Sequence, residues 1–167
     1  MKKVLLSVFV VLMMLSCGEK MSVEKINELE SKVFAKDAVL TAENVIQLVD
    51  AYVLFAEQNP NDQQTPEFLF KALDVAVGVN AEGPQKAIDI ADILIEKYPD
   101  FEMTPMAMFV KGFVYENMIG DLQNAEMTYR QFIEKYPESP MVGDVKATLE
   151  NLGLTPEELI RKFEEAN

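Results

Sequence analysis

The sequence predicts an all-α fold, an α-solenoid in which helical hairpins stack one after another. The first observation is a repeat, because residues 95–100 (IEKYPD) return 38 residues later as 133–138 (IEKYPE). The second is that each copy closes a helix-like segment, which opens at Gln85 or at Gln123. The third is the lack of any useful length of alternating apolar and polar residues, the pattern of a strand. A period of this length is typical of arrays whose units share a continuous apolar face.

A degenerate third copy precedes these two. Pro60 stands 39 residues before Pro99, and Pro99 stands 38 residues before Pro137. Start and stop signals then divide the chain after its leader into about eight helices. These helices are predicted at residues 22–37, 42–58, 66–79, 84–98, 105–119, 122–136, 140–152 and 156–166.

Residues that favour helix starts stand at the predicted boundaries. Ser22 and Thr41 precede the first two apolar stripes. Thr65 and Thr104 are each followed by a proline, which is favoured at the first helical position, so we expect both threonines to be N-caps. Thr155 is followed three residues later by a glutamate, which completes a capping box.

The N-terminus carries the pattern of an export signal. Two lysines precede the apolar run 4–15, which is broken only by Ser7 and is shorter than the ~20 residues a membrane span needs. Ser16 and Cys17 follow it in an order that resembles a bacterial lipobox. We therefore predict a lipoprotein signal peptide at 1–16, a lipidated tether at 17–21 and one helical-repeat domain at 22–167. The alternative is an ordinary secretory signal followed by a stray cysteine.

Cys17 is the only cysteine of the chain, and acylation would consume its thiol. The expected location is extracytoplasmic, with the protein anchored to a membrane through Cys17. Gly18, rather than aspartate, follows this cysteine. In this respect the signal resembles those that direct lipoproteins to the outer membrane.

Composition excludes several classes of function. The net charge is −13, and removal of the two leader lysines would leave 13 basic and 28 acidic residues, a charge of −15. Nucleic acid and anionic lipid both require basic patches, so neither is expected as a partner. The chain has no histidine, and its glycines form no phosphate-binding loop. We expect no catalytic residue, no metal and no cofactor.

The segment 106–137 resembles a tetratricopeptide repeat. Gly112, Ala125, Tyr129 and Pro137 match the small, aromatic and proline positions of that family, with a slip of one residue between Gly112 and Ala125. Met108 stands where the family has tryptophan. Together with the lipobox, the repeat is similar to bacterial tetratricopeptide lipoproteins of the envelope, in the style of outer-membrane assembly and Tol–Pal repeat proteins. Small residues at helix crossings let the helix axes approach closely. The terminal helix 156–166 is expected to cap the repeat domain, with a place in its groove as the alternative.

The resemblance implies a binding groove, since the first helix of each hairpin lines the concave face in that family. Two phenylalanines one turn apart would suit an apolar anchor from a partner, whereas the competing interpretation places both rings in the core. The residues carried over to the groove are Glu67, Phe70, Asp74, Val77, Met106, Phe109, Phe113, Glu116 and Asn117.

The function expected from these features is a non-enzymatic protein–protein interaction adaptor of the bacterial cell envelope. Its partner would be a protein or peptide of the envelope. The alternative is a structural subunit that packs into a stable envelope complex, or into a homodimer, without a transient ligand.

Overall fold

The computed structural model describes residues 20–37, 41–79 and 82–165, and within these ranges no strand occurs. Each helix from α1 to α6 packs against the next one along the chain, so that α1–α2, α3–α4 and α5–α6 form three stacked hairpins. The predicted all-α solenoid is confirmed. Its helices are α1 (Val23–Phe34), α2 (Ala42–Gln58), α3 (Thr65–Val77), α4 (Gly83–Lys97), α5 (Thr104–Phe113), α6 (Leu122–Lys135), α7 (Val142–Glu150) and α8 (Pro156–Glu165), and a π-helical turn (Val114–Ile119) continues α5.

Three of the predicted caps form as expected. The hydroxyl of Ser22 accepts from the Lys25 N–H at 3.3 Å, and that of Thr41 accepts from the Asn44 N–H at 3.1 Å. At the start of α8, Thr155 and Glu158 bond each other reciprocally as a capping box, at 3.2 and 2.9 Å. These short-range signals were sufficient to locate the helix starts.

The predicted caps at Thr65 and Thr104 are wrong. Each threonine is the first residue of its helix, and Gln64 and Met103 take the cap positions without a side-chain hydrogen bond. The buried hydroxyl of Thr65 donates instead to the Asn59 carbonyl at 2.6 Å, and that of Thr104 donates to the Tyr98 carbonyl at 2.7 Å. Both threonines therefore tie the start of one helix to the end of the helix before it.

The turns that end α2, α4 and α6 occupy equivalent places in the repeat. Asn59, Tyr98 and Tyr136 are the C-caps, with φ/ψ of −133/56°, −129/52° and −125/55°. A proline follows each of them and prevents the helix from continuing. The Tyr98 hydroxyl also donates to the carbonyl of Pro60 in the preceding turn, at 2.9 Å. The repeat seen in the sequence is therefore a repeat in the structure.

Among the described residues, the apolar core forms two clusters. The larger one runs through α1–α4 into α5 and includes Leu48, Leu69 and Leu94, all of which are fully buried. Met21 also belongs to it, and the Met21 N–H donates to the Gln58 side chain at 2.8 Å. The predicted tether includes Met21, whose side chain instead packs into this core. The smaller cluster joins α5, α6 and α7 through Met108, Ala125, Tyr129, Phe132 and Val145.

The crossing of α5 and α6 explains the one-residue slip in the repeat. A Cβ added to Gly112 would contact Cε1 of Tyr129 and lie 2.7 Å from its Cδ1, so only glycine allows this approach. The next residues form the π-helical turn Val114–Ile119. A π turn takes one more residue than an α turn, so it absorbs the extra residue between Gly112 and Ala125.

The C-terminal helix α8 is tied to the end of α7. At the C-terminus, Lys162 of α8 donates to the Glu150 carbonyl at 3.3 Å and to the Asn151 side chain at 2.7 Å. The predicted signal peptide, Cys17 and most of the tether lie outside the described residues. Among the helices that the structure describes, none has the length and apolar character required to cross a membrane.

Candidate functional site

A groove runs between α3 and α5, the first helices of the second and third hairpins. It holds a depression of about 200 Å³, lined by Phe70, Leu73, Asp74, Val77, Val110 and Phe113. Four of these residues, Phe70, Asp74, Val77 and Phe113, were predicted from sequence to face a groove. Phe113 is 40% exposed, although a phenylalanine of a packed helix is usually buried. The groove is therefore apolar, with one carboxylate in its wall.

The other predicted groove residues lie elsewhere. Phe109 is half-buried and packs on the Tyr129 ring, with the ring centroids 5.9 Å apart. The carboxylate of Glu116 accepts from the Tyr129 hydroxyl at 2.9 Å, so this side chain also turns toward α6. The exposed side-chain amide of Asn117 donates to the Phe113 carbonyl at 3.2 Å.

Two further predicted residues lie at the N-terminal ends of their helices. Glu67 is exposed in the first turn of α3. Met106 lines a depression of about 520 Å³ with Met103, Tyr136 and Met141, where α5 begins and α6 ends. The Tyr136 hydroxyl is buried without a hydrogen-bond partner among the described residues. The structure thus does not bring all nine predicted residues into one surface.

Helix geometry explains why the two phenylalanines of α5 have different environments. Gly112 faces α6, and each residue along an α-helix rotates by about 100°. Phe113 is consequently turned away from α6 and toward α3, while Phe109 remains against Tyr129. The sequence raised two interpretations for these rings. Phe109 packs against the core, whereas Phe113 lines the groove.

A second apolar depression adjoins the groove on the side of α1. It has a volume of about 420 Å³ and lies between the end of α1, the start of α2 and the end of α3. Its walls include Val33, Val45 and Val79, and Phe34 beside them is 61% exposed. Sequence reasoning did not find Phe34. The available signal was its position one residue after Val33, outside the buried stripe of α1.

Polar groups line a third depression, which shares Asp74 with the other two. Glu30 accepts from the Tyr52 hydroxyl at 2.6 Å and from the Lys71 ammonium at 3.1 Å. Burial alone would raise the pKa of the Glu30 carboxyl, but these two bonds and the Lys71 charge bring the pKa below its usual value. Burial and the bond to Glu30 raise the pKa of Tyr52 well above its usual range. These three side chains satisfy one another.

Asp74 differs from its neighbours in this region. Its carboxylate is exposed and lines the groove, the second depression and the third one, of about 300 Å³, beside Glu30 and Lys71. Within the described ranges no hydrogen bond or ion pair is formed by Asp74. Neither is there, in the same ranges, a group of three or more acidic or cysteine side chains that could hold a metal ion. Asp74 therefore presents an exposed carboxylate that no described residue neutralises.

Comparison with known proteins gives one finding. A family model described as a tetratricopeptide repeat matches residues 106–139, which include most of α5, all of α6 and the turn after α6. This match supports a tetratricopeptide-repeat protein, and such a repeat indicates an adaptor that binds other proteins. No curated protein and no solved structure matches the chain.

Proposed function

We propose that this chain is a non-enzymatic adaptor of the bacterial cell envelope, which holds a protein or peptide partner in the groove between α3 and α5. The observation that carries the proposal is the exposure of Phe113 in that groove. Phe70, Val77 and Val110 surround it, so an apolar side chain of a partner would lose water on several sides at once.

Fully burying an apolar side chain contributes roughly 1.5–3 kcal/mol, and aromatic anchors in pockets dominate many interfaces. Phe113 provides such an anchor on a helix that Gly112 packs tightly against Tyr129. Because the helix is held in place, binding of a partner would lose little free energy to ordering of the groove.

The envelope part of the proposal is supported by the sequence. An apolar run at 4–15, a small residue and then the only cysteine are what a lipoprotein signal requires. A diacylglycerol on Cys17, with or without a further acyl chain, would supply at least two chains, enough for stable anchoring. The proposed location is the outer membrane, since Gly18 follows the lipidated residue.

The groove is tested by capture from detergent-solubilised membranes after cross-linking, with the tagged full-length protein. Phe113→Ser removes the exposed ring from the groove. Met127→Ser is the matched control, because Met127 is 49% exposed but lies on α6, the second helix of its hairpin. We expect the wild-type and Met127→Ser proteins to retain the same partner and the Phe113→Ser protein to lose most of it. Equal capture by all three would contradict the groove assignment.

The anchor is tested separately with Cys17→Ser. Metabolic labelling with a fatty acid should mark the wild-type protein and not the variant, and the variant should leave the membrane fraction. If the wild-type protein takes no label, the lipoprotein assignment fails while the groove test keeps its meaning. A stable oligomer in light scattering that is unchanged by Phe113→Ser, together with failure to capture a partner, would favour the structural subunit instead.

A further inference from the structure

The exposed carboxylate of Asp74 restricts which kinds of partner segment can bind. We call the groove between α3 and α5, together with the depression beside Phe34, the groove surface. Asp74 lies between two apolar areas, the depression beside Phe34 and the depression beside Phe113. Both phenylalanines are exposed, at 61% and 40%. A segment that covers both areas would therefore pass over the Asp74 carboxylate.

The neighbouring charges do not neutralise Asp74. Lys71 is the cation in the adjoining depression, but its ammonium bonds Glu30 at 3.1 Å and lies 5.4 Å from the centre of the Phe68 ring. Glu30 brings a second negative charge to the same depression. These three residues together carry a net charge of −1, because Lys71 offsets one of the two carboxylates.

Covering an unpaired carboxylate with apolar groups is unfavourable, since the charge loses water and gains no partner. A cation from the partner removes this penalty, whereas an acidic group in the same place adds repulsion. The groove surface thus favours a basic residue at its centre and rejects an acidic one.

We infer that the partner segment carries a lysine or arginine between two apolar side chains, with the cation on Asp74 and the apolar groups beside Phe34 and Phe113. This inference rests on the proposed function, because it names the chemistry of the segment that the groove would hold. The net charge of −13 acts in the same sense, since an acidic protein attracts a basic segment over a longer distance.

The experiment is a selection of random twelve-residue peptides, displayed on phage, against the full-length protein in detergent. Wild-type protein, Asp74→Lys and Asp100→Asn are used as separate targets. Asp100 is an exposed aspartate in the turn after α4, so its substitution removes one charge outside the groove surface. The best wild-type peptide is then synthesised and titrated into each protein and into Asp74→Asn at two salt concentrations.

We expect wild-type and Asp100→Asn proteins to select peptides in which lysine or arginine stands between apolar residues, and Asp74→Lys to lose that preference. Asp74→Asn should weaken binding of the synthesised peptide about two- to fivefold, the range for an exposed ion pair. It should also reduce the salt dependence, because screening then has less charge to act on.

Two other results distinguish failure of this inference from failure of the proposed function. Peptides that lose binding with Phe113→Ser but bind Asp74→Lys as well as wild type would overturn this inference and leave the groove as the site of the adaptor. No enrichment on the wild-type protein would overturn both the inference and the proposed peptide-binding function.

Discussion

The second and third hairpins carry large and small buried residues at two corresponding positions, but in opposite order. In the hairpin α3–α4 a large buried side chain, Leu73, is on the first helix, and a small one, Ala91, is on the second. Leu73 precedes Gly112 by 39 residues and Ala91 precedes Tyr129 by 38, so the four positions correspond. In the hairpin α5–α6 the small residue is on the first helix and the large one on the second.

The two hairpins thus keep one large and one small buried residue at these positions, but not on the same helix. The turns after α4 and α6 have nearly the same backbone angles, and the apolar core continues through both hairpins. A tetratricopeptide pattern that requires a small residue on the first helix fits the third hairpin, where the family model matches. The second hairpin departs from it at Leu73, although its geometry is that of a repeat.

The largest effect is expected from Tyr129→Ala, which removes the ring that fills the third crossing. Tyr129 is fully buried against Gly112 and Phe109, so the loss should lower the free energy of unfolding by about 3–5 kcal/mol. Urea unfolding followed by circular dichroism measures it. Met127→Ala on the same helix is the control and should stay within about 0.5 kcal/mol of wild type. A loss below about 1 kcal/mol for Tyr129→Ala would mean that this crossing is not tightly packed.

The second largest loss of stability is expected when Gly112 and Tyr129 of the third hairpin are replaced by the residues found at the corresponding positions of the second. Gly112→Leu should lower the free energy of unfolding by about 1–3 kcal/mol, because even a Cβ at this position meets the Tyr129 ring. The double variant Gly112→Leu/Tyr129→Ala reproduces the Leu73–Ala91 combination. It should be more stable than the sum of the two single losses predicts, since leucine then enters the space the ring has left. Simple additivity would show that the two crossings are not interchangeable.

Most of the fold could be predicted from local signals in the sequence. The prolines after Tyr98 and Tyr136, the caps at Ser22 and Thr41 and the capping box at Thr155 act within a few residues, so they can be recognised without the structure. The hydroxyl of Thr65 could not be assigned in this way. Its acceptor at Asn59 lies six residues back, across a turn whose shape depends on packing between helices.

The candidate site was less predictable for the same reason. Periodicity gives Phe109 and Phe113 a common stripe on α5, but the close approach of Gly112 to Tyr129 decides which ring faces α6. The one-residue slip was visible in the sequence, whereas the π turn that absorbs it was not. The exposure of Phe34 and of the Asp74 carboxylate depends on the relative positions of α1 and α3, which no local sequence pattern specifies.

The third effect concerns the hydroxyl that the second hairpin lacks at Ala91. Burial and the bond to Glu116 raise the pKa of Tyr129 well above its usual value of 10.0. Below pH 10 both states keep the proton; above it the unfolded chain releases the proton and the folded protein keeps it. Stability should therefore fall as the pH rises above 10, with a loss from this residue on the order of 1 kcal/mol by pH 11.

Unfolding of the wild-type protein and of Tyr129→Phe between pH 9 and 11, the range that brackets a free tyrosine's pKa of about 10, measures this contribution. The variant should lose less stability over that interval, because phenylalanine does not ionise. Tyr52→Phe should act in the same sense in the first hairpin, where burial and Glu30 raise the pKa of Tyr52. Parallel curves for Tyr129→Phe and wild type would show that the Tyr129 proton is not retained on folding.

The smallest effect compares the junctions between hairpins. Thr104 is buried and donates to the Tyr98 carbonyl at 2.7 Å, whereas Val142 stands at the corresponding place 38 residues later and has no hydroxyl. Thr104→Val keeps the shape and removes the bond, so the free energy of unfolding should fall by about 1 kcal/mol. For a chain of this size such a loss lowers Tm by about 2–4 °C. Val142→Thr should raise Tm by less, because Val142 is only half-buried and water already reaches its junction. If Thr104→Val leaves Tm unchanged, the hydroxyl bond does not stabilise the stacking of the second and third hairpins, and the two junctions are equivalent despite their different residues.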